Sequence, residues 1–209
     1  MDYTSARMNM VDSQVRTNDV TDWELQQSMR TVRREDFCAP ARAFAAYAEA
    51  EIEIAPGRYL MQPRDIGKLL QAAAPQAGEK ALAIAAPYAA AVMARMGLQV
   101  TAQEADGRAA AVLEQALREN GVEPVQQDLG QPAGRDYDLI VCEAAVAEPP
   151  AAWLEALKPG GRMAVVLRDG PVGKARLFER INGVISSREL FDATPPMLAG
   201  FERAPTFVF

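Results

Sequence analysis

From Lys80 to Arg168 the chain alternates short apolar runs with longer runs of helical period, and that alternation restricts the fold more than any other feature. The runs ALAIA, LQVTAQE, VEPVQ, YDLIVCE and RMAVVLR have the length and apolar content of strands buried in a sheet. Between them, YAAAVMARMG and GRAAAVLEQALRENG have helical length and stop at Gly97 and Gly121, residues that adopt a positive φ at little cost. A shorter helix is expected from about Pro150 to Leu157, closed by a KPGG turn. Strand and helix taking turns, with right-handed crossovers, dictate an α/β fold: a mostly parallel sheet covered by helices on both faces.

The flanking regions have a different rhythm. Thr21 and Glu24 have the spacing of a capping box, with Val20 placed to staple onto Leu25, and Leu25, Met29 and Val32 mark the buried face of the helix that follows. A second helix is expected over Pro40 to Ala50, then an extended piece, EIEIAPGRYLMQP, leading to a helix that opens on Pro63 and runs to about Ala73. After the alternating part, ARLFERI and VISSREL flank Asn182-Gly183, the sequence of a two-residue hairpin turn. An antiparallel edge is expected there, with APTFVF as a last strand reached irregularly through Pro195 and Pro196. The expected organisation is one domain: residues 1–76 a helical front, 77–170 the alternating core, 171–209 the antiparallel end.

Composition removes several classes of chemistry. The 209 residues contain no histidine, which excludes Ser-His-Asp and Cys-His catalysis and the commonest zinc ligand. A net charge of −6 disfavours a phosphate backbone as the partner, because such binding needs a basic face. Cys38 and Cys142 lie far apart without metal-ligand spacing, as expected of two reduced thiols in a cytoplasmic protein. MDYTSARMNM lacks the apolar stretch of a secretory signal, and ALAIAAPYAAAVMARM is interrupted by Pro87, so no membrane partner is expected.

The stretch YDLIVCEAAVAEPPAAWLEALKPGGRMAVVL resembles the second half of a class I S-adenosylmethionine-dependent methyltransferase core. MVDSQVRTNDVTDWELQQSMRTVRREDF and AYAEAEIEIAPGRYLMQP resemble the substrate-binding front of protein-L-isoaspartate O-methyltransferases, and LFDATPPMLAGFERAPTFVF the ending of a bacterial branch of that family. The resemblance implies a Rossmann-like fold with a helical N-terminal extension and a C-terminal antiparallel hairpin. It also implies S-adenosylmethionine as cofactor, no metal, and an isoaspartyl-containing protein or peptide as the partner that is methylated; a homodimer is left open. A carboxylate nucleophile is already anionic at neutral pH, with a pKa of about 4, so methyl transfer to it depends on positioning and does not require the missing histidine.

The same resemblance assigns the site residues. The family's first core strand runs into a glycine-rich turn, where a Cβ would obstruct the cofactor. Here that turn falls on Ala85 and Ala86 before Pro87 and Tyr88, two residues shorter than the family pattern and without its glycines. Glu104, ending the second core strand, matches the acid that accepts the ribose hydroxyls, and Asp128 matches the acid beside the adenine amino group. Each has a plainer alternative: a solvated strand-end acid for Glu104, a turn-capping aspartate for Asp128. Glu143, ending the fourth strand, is expected to face the cleft, its burial relieved by a lysine or a helix N-terminus. On the substrate side, Tyr59, Met61, Gln62 and Pro63 occupy the run that carries a hydroxyl in the family, with Met61 expected to pack as an apolar residue. Arg16 and Arg64 are carboxylate-binding candidates or ordinary surface arginines, and no residue is assigned as catalytic. Two functions remain open at this point: a methyltransferase with an altered cofactor turn, or an inactive pseudo-methyltransferase that serves as a binding or regulatory protein.

Overall fold

The computed structural model describes residues 2–203. In chain order they form α1 (Tyr3–Met10), α2 (Trp23–Thr31), the hairpin strands β1 (Ile52–Ala55) and β2 (Arg58–Leu60), and α3 (Pro63–Ala73). The alternating part follows as β3 (Lys80–Ile84), α4 (Pro87–Arg95), β4 (Gln99–Glu104), α5 (Gly107–Glu119), β5 (Glu123–Gln126), β6 (Tyr137–Val146), α6 (Ala151–Glu155) and β7 (Leu157–Arg168). β8 (Gly173–Ile181) and β9 (Val184–Ala193) complete a seven-stranded sheet in the order β5-β4-β3-β6-β7-β8-β9. The first five of these strands pair in parallel, and β7, β8 and β9 pair antiparallel.

Side-chain alternation along β3 shows how the sheet separates two core layers. Ala81 and Ala83 pack into the layer shared with Ala89, Ala90 and Val92 of α4, whereas Leu82 and Ile84 join Ile140, Trp153 and Met163 on the opposite face. Small residues on the first face let α4 approach the sheet closely. Because β4 and β6 flank β3 on opposite sides, the chain reverses its direction of winding at β3. That reversal leaves a crevice outside the carboxyl ends of β3, β4 and β6.

The hairpin turn is as expected: Asn182 and Gly183 both have positive φ, 52° and 81°, as a type I′ turn requires. Gly161, in the KPGG segment, has a different reason to be glycine, since a Cβ there would fall 2.6 Å from the Tyr137 carbonyl oxygen.

Two local expectations are corrected, and one helix was not expected. Pro40 to Ala50 is not a helix; only a 3-10 turn, Ala43–Ala45, forms there. Tertiary partners take the carbonyls that a helix would have used: Arg34 Nε donates to Ala46 O at 2.8 Å, and Gln14 Nε2 to Tyr47 O at 2.9 Å. The cap of α2 is Asp22, not Thr21, with Asp22 Oδ1 accepting from the Leu25 amide at 2.9 Å. Gln71 Oε1 accepts from the amides of both Thr21 and Asp22, so Thr21 is held outside the helix. Finally, α1 went unforeseen: YTSARMNM has almost no apolar face, and the helix is fixed by its Asp2 cap and by burial of Arg7 and Met10. The proposed last strand, Ala204 to Phe209, lies outside the described residues.

Candidate functional site

The crevice is bounded first by the turn from β3 to α4. Two residues, Ala85 and Ala86, separate the strand from the helix, and the turn closes only because Ala85 takes a left-handed φ of +45°. That conformation costs an alanine about 1 kcal/mol. The Ala85 amide donates to Gln103 O at 3.0 Å, tying the turn to β4, while Pro87 supplies the preset φ suited to the first position of α4.

Glu143 enters from the end of β6 and is buried. Its Oε2 accepts from the Ala89 amide in the first turn of α4, and its Oε1 from the Met61 amide in the link from β2 to α3, both at 3.2 Å. A helix N-terminus therefore relieves its burial, as the sequence reading allowed. Burial nonetheless pushes its carboxyl up to about 7, against the opposing pull of Arg34 and of the amides of Ala89, Met61 and Tyr88. Arg34 is fully buried 4.6 Å over the Tyr88 ring and donates to Met61 O. Arg34 Nη1 and the Tyr88 hydroxyl find no protein partner.

Glu104 stands where its strand-end position places it, but it is not free. Its Oε1 accepts from Arg58 Nε at 2.9 Å and from the amides of Ala105 and Asp106 at 2.8 Å. Arg58 arrives from the β1–β2 hairpin, and both side chains are about nine-tenths buried. Asp128 is exposed, and its Oδ1 accepts from the Gly130 amide at 2.8 Å, the geometry of a turn cap.

The structure brings together Tyr59, Met61, Ala85, Glu104 and Glu143, and with them Arg58 and Leu198, around a cavity of about 10 Å³. That is room for about one water molecule. Others are directed elsewhere: Gln62 and Pro63 cap and open α3, Tyr88 packs edge-on against Phe37 in the core, and the carbonyl of Ala86 starts the α4 ladder. Arg64 pairs with Asp65 at 2.8 Å, and Arg16 lies 3.9 Å from Asp12 on the surface. Cys142 is buried, and desolvation pushes its thiol up to about 12, which disfavours the nucleophilic thiolate at neutral pH.

Asp128 lies on an open groove of about 740 Å³ that adjoins the small cavity at Arg58 and also presents Leu129, Glu148 and Phe201. The segment 196–203 forms a wall of both, with residues 199–203 on the groove and 196–198 on the small cavity. This segment is hydrogen-bonded along the end of β6, with Ala145 donating to Pro196 O, Leu198 to Ala145 O and Ala147 to Phe201 O. Phe201 stacks 5.4 Å from Trp153, whose Nε1 donates to Leu129 O at 2.7 Å.

Sequence reasoning missed Arg34 and Arg58. Neither carries a local signal, since Arg34 sits among other charged residues and Arg58 meets an acid 46 positions away.

S-adenosylmethionine at this edge of the sheet would need a free acid, an unobstructed turn and room between them. Glu104 is committed to an internal guanidinium, the β3–α4 turn carries Cβ atoms and a proline, and the two cavities lined by both, of about 10 and 160 Å³, are below the roughly 300–1,000 Å³ of small-molecule sites. The residues present do not fit the cofactor in the strand-end position.

An open sheet of this order, parallel in its core, antiparallel at one edge and carrying an acid at the end of the second core strand, defines the class I methyltransferase fold. A solved protein-L-isoaspartate O-methyltransferase superposes with a TM-score of 0.77 at 20% identity, over 94% of this chain and 67% of that one. A putative protein-L-isoaspartate O-methyltransferase from Plasmodium falciparum, solved with S-adenosyl-L-homocysteine, gives a TM-score of 0.78 at 16% identity, over 92% and 97% of the two chains. In sequence, residues 6–192 match the family described as protein-L-isoaspartate(D-aspartate) O-methyltransferase (PCMT). A protein-L-isoaspartate O-methyltransferase of Methylorubrum extorquens is 34% identical over 85% of this chain and 79% of its own, and one of Aeropyrum pernix is 33% identical over 78% and 67%. The chain belongs to the protein-L-isoaspartate(D-aspartate) O-methyltransferase family, as the sequence resemblance implied.

Proposed function

We propose that this member of the family does not pass a methyl group through the strand-end crevice and acts instead as a binding protein, with the open groove beside Asp128 as its contact surface. The observation that carries this reading is how little room the β3–α4 turn and Glu104 leave, in cavities of about 10 and 160 Å³, the smaller closed by the chain's own Arg58, Met61 and Glu143. The groove of about 740 Å³, with Arg58 and Asp128 of opposite charge and an aromatic wall at Phe201, suits a short peptide. The net charge of −6 argues against nucleic acid, and the two buried, unpaired cysteines suit the cytoplasm.

A second reading is supported by family membership and by that same groove. The relatives are named for methylation of protein L-isoaspartate, and S-adenosylmethionine lying in the groove would give this chain the same reaction on isoaspartyl peptides. Calorimetric titration with S-adenosylhomocysteine separates the two. The binding-protein reading expects no heat and no thermal shift at millimolar ligand, where even a weak site stabilises a fold by mass action. Micromolar binding, followed by transfer of labelled methyl to an isoaspartyl peptide, would establish the enzyme.

A further inference from the structure

Where α5 lies over the β5 edge of the sheet, the sheet offers it small side chains. Ala102 of β4 and Pro124 of β5 stand opposite each other in the ladder, and across from them Leu113 and Leu117 of α5 line the same hollow of about 160 Å³. A methyl group and a proline ring do not reach far enough to interdigitate with the leucines, so the space stays unfilled. Glu114 and Arg118, an exposed pair at 3.1 Å, mark its solvent side.

Two buried polar side chains belong to the lining, Gln103 and Glu104. Gln103 is engaged on both atoms: Nε2 donates to Asp128 O and Gln131 O, and Oε1 accepts from the Ala133 amide. Glu104 is engaged on one oxygen only. Its Oε1 takes Arg58 and the amides of Ala105 and Asp106, whereas Oε2 accepts no hydrogen bond among the described residues, on a side chain that is 9% exposed. The Arg58 guanidinium already matches the charge of this acid, and apolar walls penalise a second ion. What the hollow lacks is therefore a neutral donor for Oε2 with an apolar body against the leucines. A dry cavity of about 150 Å³ takes up one benzene ring, which sets the size of that body.

We infer that this hollow is a binding site for a small neutral ring carrying one O–H or N–H donor, of the phenol class, with Glu104 Oε2 as the acceptor. It shares no residue with the groove beside Asp128, so the inference does not rest on that groove being a contact surface, and titration with S-adenosylhomocysteine does not decide it.

The test follows the backbone amide resonances of the wild-type chain during titration with phenol, and with toluene as a ring of similar size without the donor. Phenol is expected to shift the amides of Leu113, Leu117 and Val125 along one saturating curve at millimolar concentration, and to leave Gly130 and Phe201 of the groove in place. Toluene should reach the same residues about tenfold more weakly, the worth of one hydrogen bond. Ala110→Leu puts a larger side chain into the hollow and should abolish the phenol shifts in a chain whose spectrum shows it folded. Absent or unsaturable shifts in wild type, shifts centred on the groove, or unchanged phenol binding by folded Ala110→Leu would each overturn the site. Equal affinity for toluene and phenol would overturn Glu104 as the acceptor. The wild-type titrations decide the inference even if Ala110→Leu does not fold.

Discussion

The Met61 amide donates to Glu143 Oε1 at 3.2 Å, and the carbonyl of the same residue accepts from Arg34. One backbone residue therefore stands between a buried acid and a buried base, and the two charges do not meet as a direct ion pair. This explains why the acid remains displaced despite a cation nearby: desolvation is the largest influence on Glu143, and Arg34 only moderates it. It also shows what Met61 does. The side chain fills the crevice, as expected of an apolar residue at that position, while its backbone mediates between the two charged groups.

The displaced acid makes stability depend on pH in a definite direction. Glu143 titrates near 7 in the folded chain against an ordinary 4.5, so between those values the folded protein holds a proton that the unfolded chain has released. Stability contributed through this group is therefore full below about 4.5, falls as pH rises to about 7, and is level above that. The displacement corresponds to on the order of 3 kcal/mol. Urea unfolding of wild type and Glu143→Gln across this window should show a difference curve of that sign and rough size. Identical pH profiles would assign the effect to another group.

Arg58 and Glu104 form a second junction, between the hairpin and the end of β4, with side chains 11% and 9% exposed. Removing one partner of so buried a pair leaves the other charge uncompensated, at a cost of about 3 kcal/mol. Arg58→Ala should lower stability by that order, and Arg58→Ala with Glu104→Gln should recover part of the loss, because no buried charge is then left alone. Chemical denaturation of the two single variants and the double variant completes the cycle. A strictly additive result would show that the pair is not energetically coupled.

The strands and helices from β3 to β7 were legible because their burial repeats with the period of the local structure, and so was the Asn182-Gly183 turn, whose backbone needs are met by those two residues alone. The front of the chain was less legible. The alanines and aromatics of 40–50 have helical propensity, but Arg34 and Gln14 claim their carbonyls from elsewhere in the fold, and local propensity has no access to such bonds. The candidate site divides in the same way. The strand-end placement of Glu104 and Glu143 follows from where their strands stop. Their partners do not, since the Arg58–Glu104 pair spans 46 residues and the Met61–Glu143 bond 82.

Arg162, from β7, closes the far end of α3 by donating to the carbonyls of Ala73 and Ala74, and it also binds both carboxylate oxygens of Glu79, at 2.8 and 2.9 Å. Only the planar fork of an arginine reaches all four acceptors; a lysine ammonium carries three donors on a single atom. Arg162→Lys is expected to cost about 2 kcal/mol, since helix-end carbonyls are then left without a partner. Thermal unfolding measures the loss directly, and a variant within 0.5 kcal/mol of wild type (roughly the scatter of neutral surface changes) would mean that water replaces the guanidinium there.

The residue that ends α3 offers a gain where the others predict losses. Ala74 is exposed and takes a left-handed φ of +46°, the position just past a helix where glycine is the usual occupant. Its methyl group is not buried, so removing it forfeits no packing, and the carbonyl that Arg162 uses belongs to the backbone and survives the change. Two effects then compete in Ala74→Gly: relief of the positive φ, and the greater freedom that glycine gives the unfolded chain. The first is the larger where an alanine is held at positive φ. Stability should rise by about 1 kcal/mol, with a Tm increase of about 2–4 °C for a chain of this size. An unchanged or lower Tm would show that the αL conformation at Ala74 is not a source of strain in this fold.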